Sequence, residues 1–308
     1  MNKLKSILLG TDFSPCATAA LQQAVRLAHW NNARLQAVHV VDVLAVREYA
    51  EAFEQPLMLV EKEVVKQTGG RLKEWLASAG TSVAGETIIG MPLDVLLTRV
   101  KERDASLLVL GLRGETTTHN DAGNLALKCL RKAQTKVMLV HEQHAGPFRN
   151  VVACVDFSET ARVAVEQARH VGEQDRSQVH FIHVFSGPWR RLPLRLETPG
   201  TLADFEKQYS TLLEGRLREF VGDTSGLQAT FKVIEADRVA HGIAEYARRT
   251  ETDLLVLGSK GQSNLKYLLL GSTVERLLRE LPCSVLVVRP PVADGSKPER
   301  KVEDVPGR

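Results

Sequence analysis

The chain repeats itself, and the repeat restricts its fold more than any other feature. The segment from Ile7 to Val40 lies on the segment from Val151 to Val184 without a gap. In that register Asp12-Phe13-Ser14 falls on Asp156-Phe157-Ser158, Gln23-Ala24 on Gln167-Ala168, and His39-Val40 on His183-Val184. Farther along, LLVLG ending at Gly111 matches LLVLG ending at Gly258. GNLALKCLRKAQTKVMLV from Gly123 matches GSTVERLLRELPCSVLVV from Gly271. A period this long means two copies of one folding unit, and 308 residues suffice for each copy to bury its own core.

The segment EQHAGPF, between two apolar strand patterns, supplies the boundary because its residues favour turns. We expect one unit over residues 1–145, a second over 149–290, and a polar, Pro- and Gly-containing tail over 291–308 that is expected to be disordered. Within each unit the order is strand, helix, strand, long helical region, strand, helix, strand, helix, strand. The second-half strands read VVACVD, QVHFIHV, ATFKVIE, DLLVLG and SVLVV, short apolar runs expected to be buried on both faces. Val274, Leu277, Leu278 and Leu281 form an i, i+3, i+4, i+7 stripe suited to covering a sheet. Strands alternating with helices imply parallel pairing through right-handed crossovers. The fold class is therefore α/β: two tandem doubly wound domains, each a five-stranded parallel sheet flanked by helices. Ligands of such sheets sit beyond the carboxyl ends of the strands where the winding reverses, which directs attention to the loops after the first and fourth strands.

After the fourth strand of the second half comes GSKGQSNLKYLLLGST, a G-x(2)-G-x(9)-G-S spacing from Gly258 to Ser272 that runs into a helix. Glycines let backbone N–H groups approach an anion, and Ser272 and Thr273 add hydroxyl donors at a helix start. Lys260 and Lys266 lie in the same loop. Ser272-Thr273-Val274-Glu275 equally reads as a capping box that needs no ligand. The spacing is neither the G-x(4)-G-K-[S/T] phosphate loop nor the G-x-G-x-x-G dinucleotide fingerprint.

This loop resembles the nucleotide-binding signature of the universal stress protein family. The resemblance extends over both halves through VDFSETA, the HV pair ending the second strand, and SVLVVRP. It implies an adenine-nucleotide site, for ATP or a related nucleotide with or without magnesium. By position Asp156 would contact the adenosine, Val184 would pack near the base, and Leu257, Gly258, Lys260 and Gly261 would follow the ribose and phosphates. Gly271, Ser272 and Thr273 would hold the phosphates. Asp156 also suits stabilising its own turn or capping the next helix, and both readings stand at this point. The family's binders often carry proline two residues before this aspartate, where this chain has Cys154.

The first half keeps Asp12 and Gly111-x-x-Gly114, but its loop is one residue shorter. Asn124 and Leu125 replace Ser272 and Thr273, and Glu115 and Asp121 add negative charge. A polyphosphate is disfavoured there, while Asn124 remains a suitable helix cap, so the first half is expected to bind ATP weakly or not at all.

With 40 basic and 37 acidic residues, the net charge of +3 supports neither a nucleic-acid nor a membrane surface. No apolar run approaches the roughly 20 residues of a membrane span. Cys16, Cys129, Cys154 and Cys283 form no C-x-x-C pair, so reduced thiols and a cytoplasmic setting are expected. No catalytic constellation is assembled and no metal-ligand set is read. His183, with His39 as its mate, reads as a packed, hydrogen-bonded histidine, and His241 falls outside the signature. The leading function is a nucleotide-binding stress or signalling module. The alternatives are an interaction scaffold that pairs residues 136–140 with Ser284 to Val288 as an internal pseudo-dimer, and a slow ATPase. The Arg-rich GPWRRLPLRLETPG is read as a loop for an unidentified protein partner or for homodimer contacts, with nucleic acid disfavoured for want of aromatic platforms.

Overall fold

A computed structural model describes residues 4–81, 83–114, 123–190, 202–259, 271–278 and 283–289. Lys260, Gly261, Lys266, Leu281, most of the Arg-rich stretch and the expected tail lie outside these described residues. The first half runs β1 (Ser6–Thr11), α1 (Pro15–Asn31), β2 (Arg34–Asp42), α2 (Val43–Ala52), α3 (Leu57–Ser78), β3 (Ala84–Gly90), α4 (Pro92–Glu102), β4 (Leu107–Gly111), α5 (Asn124–Lys132) and β5 (Lys136–Val140). The second repeats it as β6 (Asn150–Cys154), α6 (Glu159–Asp175), β7 (Gln178–Phe185), α7 (Leu202–Val221), β8 (Gln228–Glu235), α8 (Val239–Arg249), β9 (Leu254–Gly258), α9 (Ser272–Leu277) and β10 (Ser284–Val288). Among the described residues, the first half inserts a separate helix, α2, after its second strand. The second has a short 3-10 turn at Pro188–Arg190.

The repeat holds down to the helix ends. Ser14 caps α1 by accepting from Ala17 N at 3.1 Å, and its mate Ser158 caps α6 by accepting from Ala161 N at 3.2 Å. Both helices stop at a left-handed residue, Asn32 at φ 52° and its mate Arg176 at φ 55°. Between these ends, Ala19, Ala20 and Ala24 in α1, and Ala161, Ala164 and Ala168 in α6, bury small side chains that let each helix lie close on the sheet.

One expectation is corrected. The strands form a single ten-stranded mixed sheet in the order β3-β2-β1-β4-β5-β10-β9-β6-β7-β8, instead of two separate parallel sheets. Each half is parallel within itself, and β5 pairs β10 antiparallel with Leu139 opposite Val285, Met138 opposite Leu286 and Val137 opposite Val287. The reason lies in KVMLV and SVLVV, which left as free edges would expose apolar strands with unpaired N–H and C=O groups. Their pairing is the closing-strand contact expected of an internal pseudo-dimer. A second correction concerns β8, which with β3 forms the outer edges and is only half-buried because a single neighbour covers it.

Apolar layers cover both faces and run through both halves. One face carries α1, α3, α6 and α7, the other α4, α5, α8 and α9. The halves are further tied by the Arg26–Asp175 and Arg131–Glu275 ion pairs and by Gln23 Nε2 donating to His144 O at 2.7 Å. Among the described residues no helix is long and apolar enough to cross a membrane, and all four cysteines are free.

Candidate functional site

In each half the winding reverses between the first and fourth strands, so the ends of β1 and β4, and of β6 and β9, open a crevice. In the second half this crevice is a cavity of about 180 Å³. The sequence-selected residues Asp156, Val184, Leu257, Gly258, Gly271, Ser272 and Thr273 all line it, joined by Cys154, Ile182 and Ile243. Lys260 and Gly261 lie outside the described residues. Ile182, Val184, Ile243 and Leu257 make one wall apolar, while Asp156 and the Ser272-Thr273 hydroxyls make the rim polar.

The backbone sets the rim. Ser259 N donates to Val288 O at 2.8 Å, and Gly271 N to Ser259 O at 3.1 Å, which brings the start of α9 back to the end of β9. The capping box is not formed. Gly271 is the cap residue and Ser272 the first helical residue, because the chain reaches the helix through the extended Gly271 at φ −59° and ψ 140°. The hydroxyl at Ser272 therefore does not close the helix, and Glu275 pairs instead with Arg131 at 2.9 Å. Asn124 is corrected in the same way: Gly123 caps α5 and Asn124 follows it.

Asp156 does stabilise its own turn. Its Oδ1 accepts from Ser158 N at 3.0 Å and from Ser158 Oγ at 2.5 Å. Ser158, so held, caps α6. Asp12 accepts from Ser14 N at 3.1 Å in the same manner.

Beneath each aspartate lies a stack that the sequence reading missed. Phe157, at φ 64°, packs its ring 4.5 Å from His183, with the Arg216 guanidinium 4.2 Å above it. Its mate Phe13, at φ 65°, lies 4.5 Å from His39 under Arg71 at 4.4 Å. A positive φ is rare for a bulky residue and costs on the order of 1–3 kcal/mol, so the neighbours must impose it. His183 Nδ1 lies 2.7 Å from Val155 O, and His39 Nδ1 lies 2.8 Å from Thr11 O, holding the peptide just before each aspartate. Burial lowers both imidazole pKa values, opposed by these backbone bonds, and keeps the rings neutral. His183 is thus packed and hydrogen-bonded, as read from sequence. The signal that could have revealed the stack was the repeated Phe in Asp-Phe-Ser, an apolar residue in a polar turn.

The first half has the corresponding cavity, and it is larger, at about 460 Å³. Val38, Val40, Leu96 and Leu110 form its apolar wall, and Asp12, Arg113 and Asn124 its polar rim. Arg113 occupies the position of Lys260, and Gly10 that of Cys154. A Cβ at Gly10 would lie 2.5 Å from Leu110 Cδ2, and one at Gly111 would lie 2.9 Å from Ala17 N, so both glycines permit close packing under the cavity. Burial pushes the Cys129 and Cys283 thiols up to about 12, and raises Cys154 as well, which leaves all three as unreactive thiols. Among the described residues no three His, Cys, Asp or Glu side chains gather as a metal set.

A family model described as the universal stress protein family matches residues 3–141 and again 147–289. Universal stress proteins of Mycobacterium tuberculosis and Mycobacterium bovis are each 26% identical, over 92% of this chain and 95% of their own. Among solved structures, a putative universal stress protein from Pseudomonas aeruginosa superposes with a TM-score of 0.62 at 16% identity, over 93% of this chain and 94% of its own. One from Archaeoglobus fulgidus gives 0.57 at 18% identity, over 92% and 98%. Likeness at these identities is likeness of fold.

Proposed function

The chain belongs to the universal stress protein family, with two tandem copies of its domain, and from that premise we propose that it is an adenine-nucleotide-binding stress or signalling module whose second half holds the nucleotide. The observation that carries the reading is convergence. Residues far apart in sequence, Asp156, Val184, Gly258, Gly271, Ser272 and Thr273, border one crevice at the point where the sheet reverses. The donor set suits the ligand. A flat apolar base matches the wall of Ile182, Val184 and Ile243, and a ribose hydroxyl suits the Asp156 carboxylate. Phosphate oxygens suit the Ser272 and Thr273 hydroxyls and the backbone N–H groups that follow Gly271 at the start of α9, with Lys260 and Gly261 the further loop residues that the resemblance implies. No step beyond binding is needed. A nucleotide that favours one arrangement of the rim would bias the module's choice of a protein partner.

Calorimetric titration of nucleotide-stripped protein with ATP and magnesium, beside Gly271→Glu, tests this. Among the described residues a Cβ at Gly271 meets only Ser259 O at 3.7 Å, and the cap residue's φ is negative, so glutamate suits the backbone there while placing a carboxylate where phosphate would lie. One site in the parent and a loss of at least about 100-fold in the variant, about 2.7 kcal/mol, are expected. Equal affinity in both proteins would sink the reading.

A second reading, an interaction scaffold, is favoured by the continuous sheet across β5 and β10, which fixes the pairing of the two copies within one chain. Absence of any nucleotide binding at millimolar ATP would transfer the weight to it.

A further inference from the structure

Met138 and Leu286 are repeat mates, and they stand opposite each other where β5 meets β10, so the pseudo-two-fold axis passes between them. On the face that carries α1 and α6, this axis relates two clefts at the seam. The segment connecting the halves fills one. There Gln23 Nε2 donates to His144 O at 2.7 Å and also to Gly146 O. Ser284 Oγ accepts from His141 N at 3.0 Å and lies 3.0 Å from His144 Nδ1. Arg26 pairs with Asp175, whose other oxygen accepts from Phe148 N at 2.8 Å. Gln23, Arg26 and Ser284 each find partners in the connecting segment or across the seam, although Arg26 Nε itself stays buried without one among the described residues.

The other cleft presents the mates of those residues: Gln167 for Gln23, His170 for Arg26, Lys136 for Ser284 and Leu4 for Phe148. They line a cavity of about 100 Å³. Lys136 Nζ donates to the neutral Gln167 Oε1 at 3.1 Å, and His170 Nε2 is buried with no hydrogen-bond partner among the described residues. The nearest carboxylates lie to the side. Glu173 is 3.5 Å from the opposite ring nitrogen of His170, and Glu166 acts on Lys136 through space without an ion pair. Burial lowers the pKa of both Lys136 and His170, opposed at Lys136 by the charge of Glu166 and at His170 by the hydrogen bond to Glu173. The missing element is an acceptor.

We propose that this seam cavity is a binding site for a small oxyanion, of the size of inorganic phosphate or acetate, held by Lys136 Nζ, His170 Nε2 and the Gln167 amide. Its volume is several times the roughly 10–15 Å³ that one water requires and smaller than either glycine-edged crevice. The anion supplies at this end the oxygen acceptors that His144 and Gly146 supply at the other. It bridges β5 of the first half to α6 of the second, so occupancy stiffens the seam. The site is separate from the glycine-edged crevices and does not depend on nucleotide binding.

Thermal unfolding in phosphate, acetate or chloride at matched ionic strength tests the proposal. A Gly123→Glu, Gly271→Glu background keeps phosphate out of both glycine loops. Phosphate or acetate should raise the Tm saturably and chloride should not. Lys136→Met should raise the starting Tm, by removing a buried amine, and should weaken the oxyanion response at least tenfold. His170→Gln, which keeps a donor, should weaken it less. An equal response to chloride, or one unchanged by Lys136→Met, overturns the proposal. If Lys136→Met does not fold, the His170 ring resonances decide: a shift on adding acetate supports the site, and no shift overturns it.

Discussion

The two glycine-edged cavities occupy the same place in two copies of one fold, yet one measures about 460 Å³ and the other about 180 Å³. The larger belongs to the half whose loop departs further from the nucleotide signature. Gly10 in place of Cys154 does not open this space, because Leu110 and Leu96 close over the glycine. Asn124-Leu125 in place of Ser272-Thr273 removes hydroxyl donors from the rim, which alters the chemistry. Shape and chemistry have diverged independently. A duplicated domain can keep its crevice, because sheet and helices build the crevice, while exchanging the few polar atoms that decide what enters it.

Exchanging those rims would break the comparison most directly. Ser272→Asn with Thr273→Leu should weaken ATP binding on the order of 100-fold, the effect of two charge-assisted hydrogen bonds of about 1.5 kcal/mol each. The reciprocal Asn124→Ser with Leu125→Thr should improve binding to the first half only about tenfold, since Glu115, Asp121 and the shorter loop remain. Calorimetry on both doubles measures this. Equal and opposite effects would mean that the hydroxyls alone separate the halves.

Much of this difference could be read in the sequence, for a physical reason. The repeat register places Asn124 on Ser272 without coordinates, and the short apolar strands locate the crevice through topology alone. The join between the halves was legible as a contact, since residues 136–140 and Ser284 to Val288 were expected to pair. Two such strands resemble any buried strand, however, and only the three-dimensional sheet shows that their pairing merges both halves into one ten-stranded sheet. The capping role given to Ser272 failed because a glycine in extended backbone caps the helix as readily, and spacing does not distinguish them. The Phe157 stack escaped because its partners, His183 and Arg216, come from separate elements.

That stack is where the two halves differ least, and a paired truncation tests whether the likeness is energetic as well as geometric. Phe157→Ala and Phe13→Ala each remove a half-buried ring from between a histidine and a guanidinium, so each should destabilise by roughly 2 kcal/mol, below the 3–5 kcal/mol of a fully buried phenylalanine. Denaturant unfolding measures both. Phe157→Ala should also weaken ATP binding several-fold, because the turn that holds Asp156 loses its support, whereas Phe13→Ala should leave it unchanged. If both variants weaken ATP equally, the nucleotide does not reside in the second half alone.

The smallest expected effect concerns the two histidines beneath these turns. His39 and His183 have pKa values lowered from 6.5, chiefly by burial, with hydrogen bonds to Thr11 and Val155 opposing the shift. In the unfolded chain each takes up its proton as the pH falls through about 6.5, while in the folded chain each stays neutral until a lower pH. Between those two points the unfolded state binds more protons, so stability is full above pH 6.5 and declines as the solution is acidified through that window. The Tm should therefore fall as the pH is lowered through that window. Proton NMR should show both rings titrating below an exposed histidine, and close together, because each ring meets the same Phe, Arg and carbonyl. Two well-separated values would show that the halves differ in the support beneath the crevice as well as at its rim.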